Sequence, residues 1–260
     1  MIIDINSYLG HYPFRSLRFN TAQKMLGLMD RSGIDRAIVS SLNAVFYRDA
    51  HDGNQELFEE TKGHASRLTP VATVNPKYVG WERDLAEAIE TWKMKIVTLV
   101  PEHHGYSLSD EFGRAALSRI AEYGVPLLLT QRFEDRRQRH HWDRVEDLKL
   151  ETLLETARAQ PKLKFLLVNW LSLDGPKMVE AGLKGRCLLD FSRLQVAQQP
   201  EVPKLIEALG VEAIAFGSHM PFDYTGPSLV KLANVQAVRP ADYEAIAWRN
   251  AANFLRLGQT

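Results

Sequence analysis

Residues 33–43 read Gly33-Ile34-Asp35-Arg36-Ala37-Ile38-Val39-Ser40-Ser41-Leu42-Asn43, and this stretch decides the fold. A glycine stands where a helix should stop, an apolar run follows, and the run ends in polar residues. The apolar run is near-continuous rather than alternating, as in a strand buried on both faces. Ahead of it, Thr21–Gly33 carries Met25, Leu26 and Met29 at helical spacing.

The same unit recurs along the chain. Strand candidates are Ile2–Ile5, Arg36–Ser41, Thr69–Val74, Lys95–Val100, Val125–Leu129, Lys164–Val168, Cys187–Phe191 and Ala213–Phe216. Helical patterns lie between them over Trp81–Trp92, Phe112–Tyr123, Val145–Ala159 and Pro203–Leu209, and Gly124 repeats the stop of Gly33. Strands alternating with helices imply a parallel sheet with right-handed crossovers. Eight such strands predict one (β/α)₈ TIM-barrel domain over residues 1–260, with its chemistry at the C-terminal ends of the strands. An open nucleotide-binding sheet has little support, because no G-x-G-x-x-G and no Walker loop follows a strand.

Composition narrows the partners. Lys+Arg and Asp+Glu both number 32, so the balanced charge gives nucleic acid no footprint. The single cysteine, Cys187, lies in an apolar run, which fits a buried thiol and a reducing compartment. No basic leader and no membrane-length apolar run is present, so a cytoplasmic protein without membrane contact is expected. A homodimer is the default expectation for assembly.

The strand ends carry polar residues nearly throughout: Asp4, Asn6 and Tyr8, then Asn43, Asn75, the segment Glu102-His103-His104, Thr130-Gln131-Arg132, Asn169, Asp190 and Ser218-His219. By period two, Asp4, Asn6 and Tyr8 should share one face. Adjacent His103 and His104 in an extended segment should point apart, a poor chelating pair. The polar stretch from Arg132 to Arg144 is either a loop over the barrel mouth or a solvated surface segment.

Four segments, Gly33-Ile34-Asp35-Arg36-Ala37, Val71-Ala72-Thr73-Val74-Asn75-Pro76, Phe216-Gly217-Ser218 and Asn250-Ala251-Ala252-Asn253-Phe254-Leu255, occur in order. Together they resemble the "amidohydrolase 2" branch of the amidohydrolase superfamily, which includes decarboxylases of aromatic acids and several hydrolases. The resemblance implies metal ligands at five positions, and this chain has exchanged all five. His-x-His on the first strand is replaced by Asn6 and Tyr8. Histidines ending strands five and six are replaced by Thr130 and Asn169, and the aspartate after Gly-Ser by His219. Zinc prefers imidazole, thiolate and carboxylate, so no metal and no other cofactor is expected. Asp-x-Asn at Asp4, Pro13-Phe14-Arg15, His104-Gly105-Tyr106 and Gly217-Ser218-His219 resemble an offshoot of the branch lacking the usual ligands.

These readings give a metal-independent hydrolase or lyase acting on a small polar, carboxylated molecule, through ester, lactone or amide hydrolysis. His219 is the candidate base, with Asn169 and Thr130 as catalytic partners that polarise a carbonyl. Asn6, Tyr8, Arg15, His104 and Arg132 are candidate substrate contacts, and Arg137 and Arg193 are further possible carboxylate clamps. Asp190 and the Glu134-Asp135 pair are reserve bases. His140-His141 reads as solvated. Two alternatives stand beside this reading: an inactive barrel that binds a small molecule, and a metal enzyme with ligands relocated to His11, His104, Asp190 and His219.

Overall fold

A computed structural model describes residues 1–171, 173–194 and 201–258. Eight strands form one parallel sheet in chain order: β1 (Ile3–Leu9), β2 (Arg36–Ser41), β3 (Leu68–Val74), β4 (Val97–Leu99), β5 (Leu127–Thr130), β6 (Phe165–Val168), β7 (Cys187–Asp190) and β8 (Ile214–Ala215). The extension of β8 closes the sheet onto β1. Ile5 N donates to Phe216 O at 3.0 Å, Tyr8 N to Met220 O at 2.9 Å, and His219 N to Asn6 O at 2.9 Å. The predicted TIM barrel is therefore the observed fold.

The helices are α1 (Ala22–Ser32), α2 (Leu42–Phe46), α3 (Ala50–Thr61), α4 (Trp81–Ala86), α5 (Pro101–His104), α6 (Glu111–Tyr123), α7 (Leu150–Ala159), α8 (Gly175–Glu180), α9 (Glu201–Leu209), α10 (Thr225–Val238) and α11 (Asn250–Phe254). Gly33 and Gly124 end α1 and α6 with φ of 67° and 65°, left-handed values that favour glycine. Asp110 caps α6, its carboxylate accepting from Gly113 N at 2.8 Å.

The core has three parts. Met25, Met29, Leu117, Ile120 and Leu153 belong to the layer between strands and outer helices. Ile3, Ile5, Ile38, Val71, Ile96, Leu128, Leu166, Leu188 and Ala215 come from around the barrel and fill its interior, with Ala251 and Leu255 closing one end. At the other end Tyr8, Tyr12, Phe133 and Phe222 form an aromatic cap with Leu42, Val45 and Val100.

Two expectations need correction. Strict alternation on β1 fails because the β1–β2 register shifts between Asp4 and Ser7. This bulge adds one residue. Ile3 and Ile5 face the interior, and Asn6 and Tyr8 do too, while Asp4 turns to Ser218 on the neighbouring loop. His103 and His104 are not extended. Pro101 opens the short helix α5 and Gly105 closes it at φ 68°, sending His103 to Phe46 and Phe133 and His104 to Tyr106.

Candidate active site

Asn6, Tyr8, Thr130 and Asn169 meet across the lumen. Asn6 Nδ2 donates to Asn169 Oδ1 at 2.8 Å and to Asp190 Oδ2 at 3.1 Å. Asn169 Nδ2 donates to the Tyr8 hydroxyl at 3.1 Å, which lies 3.4 Å from Thr130 Oγ1. β1 has no edge in common with β5, β6 or β7, so these bonds cross the barrel. Asp190 anchors the set by also accepting from Asn169 N at 3.0 Å and Ser192 N at 3.1 Å. Burial raises the Tyr8 phenol well above its ordinary value and keeps it a neutral donor and acceptor.

Gly217 makes room for this arrangement. A Cβ there would lie 2.6 Å from Asp190 Cβ, closer than side-chain carbons approach. Ser218 is held by Asp4, which accepts from Ser218 N at 3.0 Å and from its hydroxyl. Burial pushes the Asp4 carboxyl up to about 7 against the lowering effect of those bonds.

His219 follows. It is fully buried, with a left-handed φ of 63°, and Asn169 has φ 61°. Such non-glycine conformations are uncommon and cluster at functional sites. The His219 ring stacks on Phe222 with centroids 4.9 Å apart and planes 6° apart, and it meets Tyr8 edge-on at 5.7 Å. Nδ1 lies 2.9 Å from Asp223 Oδ2, and Arg193 Nη2 lies 3.1 Å from Nδ1 and 3.3 Å from that carboxylate. A guanidinium only donates, so the arrangement that satisfies all three groups has Nδ1–H and Arg193 both donating to Asp223. That tautomer leaves the lone pair on Nε2, which is buried and has no hydrogen-bond partner. Burial lowers the pKa of His219, and Arg193 adds to this, while the Asp223 hydrogen bond opposes it. Burial alone would raise the Asp223 carboxyl, but His219, Arg193 and Arg15 together hold it below its ordinary value.

Asn6 Oδ1 and Arg193 Nε are also buried without partners. The site thus presents an imidazole lone pair, an amide acceptor and a guanidinium donor. Both amide hydrogens of Asn6 and one of Asn169 are engaged within the network, while Arg193 Nε is a donor left without a partner. Lys231 fixes the loop that carries Arg193, donating to Ser192 O at 2.5 Å and Leu194 O at 2.9 Å.

The other candidates lie elsewhere. Arg15 pairs with Glu134 at 2.5 Å and donates to Phe222 O at 3.1 Å, tying the aromatic cap down. Arg132 pairs with Asp147 at 2.5 Å, beside Arg136 and Arg139. His104 sits against the backbone of Ala44, Val45 and Val74, and burial lowers its pKa to about 4. Arg137 is exposed and pairs with Asp135 at 3.0 Å. Phe133 belongs to the cap and Glu134 is buried beside it against Tyr12, so the start of the polar stretch covers the mouth while Arg136 and Arg137 face solvent. His140 stacks on Phe14 and on His141. Asp223 was not legible as a site residue, although its spacing four residues beyond His219 was a usable signal.

The five exchanged positions do not fit a divalent cation. An Asn6 N–H points at Asp190 Oδ2, taking the place a positive ion would fill, and His219 Nδ1 is engaged with Asp223. Among the described residues no three His, Cys, Asp or Glu side chains gather as ligands, and His11, His104, Asp190 and His219 are not brought together.

No protein-family model and no curated protein sequence matches the chain. Solved structures do. A 5-carboxyvanillate decarboxylase of Sphingomonas paucimobilis superposes with a TM-score of 0.72 at 13% identity, covering 99% of both chains. A dihydroxybenzoic acid decarboxylase of Polaromonas sp. JS666, with bound manganese and 2-nitroresorcinol, gives 0.72 at 17% identity over 100% of this chain and 98% of that one. A 5-carboxyvanillate decarboxylase of Novosphingobium aromaticivorans, also with manganese, gives 0.73 at 13% identity over 99% and 96%. The chain has the fold of these decarboxylases, an eight-stranded parallel barrel.

Proposed function

We propose that the chain is a metal-independent hydrolase or lyase acting on a small carboxylated molecule at the barrel mouth. One observation carries the reading: His219 is buried, oriented through Nδ1 by Asp223, and left with an unpartnered Nε2. In this reading Nε2 takes a proton from water or substrate, Asp223 fixes the tautomer, and Arg193 holds the carboxylate or the developing oxyanion. The Asn6–Asn169–Tyr8–Thr130 chain is the scaffold that keeps the lumen polar. The named neighbours act on carboxylated aromatic acids, which supports a substrate of that class.

The aromatic cap favours a second reading, a binding protein without turnover, because Tyr8 and Phe222 pack directly on His219. A screen of carboxylated aromatic acids, lactones, esters and amides separates the two. Turnover that survives dialysis against a chelator and falls by roughly 10²–10⁴-fold in His219→Asn supports the base assignment. Asparagine tolerates the left-handed backbone, so the variant should keep its fold. Turnover lost with the chelator and restored by manganese or zinc would overturn the metal-independent reading.

A further inference from the structure

A cleft of about 300 Å³ opens at the end of the barrel where β2, β3 and β4 begin. Arg36 is the first residue of β2, Leu68 is the first of β3, and Lys95 stands just ahead of β4. The strands are all parallel, and His219 follows the end of β8, so this cleft and the mouth lie on opposite faces. Phe58, Leu68, Pro70, Trp92 and Leu257 give the cleft apolar walls.

Its charges are all of one sign. Arg36, Lys62, Lys93 and Lys95 line the cleft, and no acidic side chain does. Lys62 pairs with Glu59. Lys93 Nζ reaches only a neutral acceptor, the Glu90 carbonyl at 2.5 Å. Arg36 Nη1 likewise donates to the Gly258 carbonyl at 3.3 Å, and its Nε is buried with no acceptor at all. Among the described residues, Arg36, Lys93 and Lys95 have no carboxylate partner. A guanidinium nitrogen shut off from water without an acceptor costs free energy, and like charges around one cleft repel each other unless anions join them.

We infer that this cleft binds a small organic acid with an apolar body and two separated carboxylates. Its volume is at the lower end of small-molecule pockets, which suits one ring rather than a polymer. The unmatched charges come from two places, Arg36 on β2 and Lys93 with Lys95 ahead of β4. β3 lies between them, so two strand spacings, about 9–10 Å, part the two backbones. Charge divided in this way suits two carboxylates spaced on a ring better than one compact dianion. Arg36 can take one of them through paired N–H groups, and the lysines meet the other as point charges. The inference concerns the face opposite His219 and stands whether or not His219 is a base.

Isothermal titration of the whole chain with isophthalate, benzoate and phenyl phosphate tests it. The titrations are repeated in Arg193→Gln, which lacks the carboxylate clamp of the mouth, so that the two faces are told apart. Saturable isophthalate binding is expected in both proteins, about tenfold tighter than benzoate in Arg193→Gln and weaker at higher salt. Arg36→Gln should weaken it about tenfold, and Lys95→Gln about threefold. Lys95 is exposed, so its variant keeps the fold whatever Arg36→Gln does. No saturable binding of isophthalate, benzoate or phenyl phosphate binding as tightly in Arg193→Gln, or binding unchanged in both cleft variants would overturn the proposal. So would isophthalate binding that Arg193→Gln abolishes, which would place the acid at the mouth.

Discussion

His219 should give the site a pH signature. Its pKa is lowered, chiefly by burial, so the neutral base persists below the ordinary histidine value of 6.5. Turnover should therefore hold as pH falls through 6.5 and decline only at more acid pH, as a pH–rate profile of kcat/KM would show. Asp223 is a positioning residue whose hydrogen bond raises the His219 pKa. Asp223→Asn should lower kcat and also move the acid limb to lower pH. A loss of rate with an unmoved limb would mean that Asp223 only supports the loop. Residues at strand ends were legible in the sequence because the fold itself sends them to the mouth, as with Asn6, Tyr8, Thr130 and Asn169. Asp223 lies in the turn beyond β8. The sequence reading put Arg15 and Arg132 ahead of Arg193, and only the fold shows that Arg15 meets Glu134 and Arg132 meets Asp147.

At the scale of elements, close backbone approaches decide where the mouth sits. α2 and α3 cross at Gly53, where a Cβ would lie 2.3 Å from Ala44 N. Gly53→Ala must separate the two helices and should cost about 1–3 kcal/mol, read as a lower midpoint in urea unfolding. Gly217→Ala should act on the site instead. Its Cβ would press on Asp190 and disturb the Asn6 and Asn169 bonds, so activity should fall more than stability does. Equal loss of both would make Gly217 a packing residue. The strands and the helices α1, α4, α6, α7 and α9 were legible from periodicity, since each buries a recognisable face, whereas α3 and α10 were not read as helices. The β1 bulge was not legible, because one inserted residue leaves the apolar pattern of Ile3 and Ile5 intact. α2 and α5 were too short to show a period, although Pro101 and Gly105 bracket α5.

The whole molecule holds neutral titratable groups of both kinds in its interior, and their effects on stability oppose one another. Burial raises Asp4 from 3.8 to about 7 and Glu102 from 4.5 to about 7. The folded state then binds more protons than the unfolded chain between those limits, so these acids make stability fall as pH rises. Burial lowers His103 and His104 from 6.5 to about 4 and lowers His219 as well. Here the unfolded chain binds more protons, so the histidines make stability fall as pH drops from 6.5 toward 4. Two acids oppose three histidines in that window, so the urea midpoint of the wild type should rise with pH, but by less than the histidines alone would give. Asp4→Asn removes one acid and leaves the histidines in place. The variant should be less stable overall, since the Ser218 hydroxyl loses its carboxylate. Its stability should nevertheless rise more steeply with pH than the wild type's, by up to about 1.4 kcal/mol per pH unit between pH 4 and 6.5. Parallel curves for the two proteins would mean that Asp4 is ionised in the folded barrel, held so by its three donors, Asn6 N, Ser218 N and the Ser218 hydroxyl.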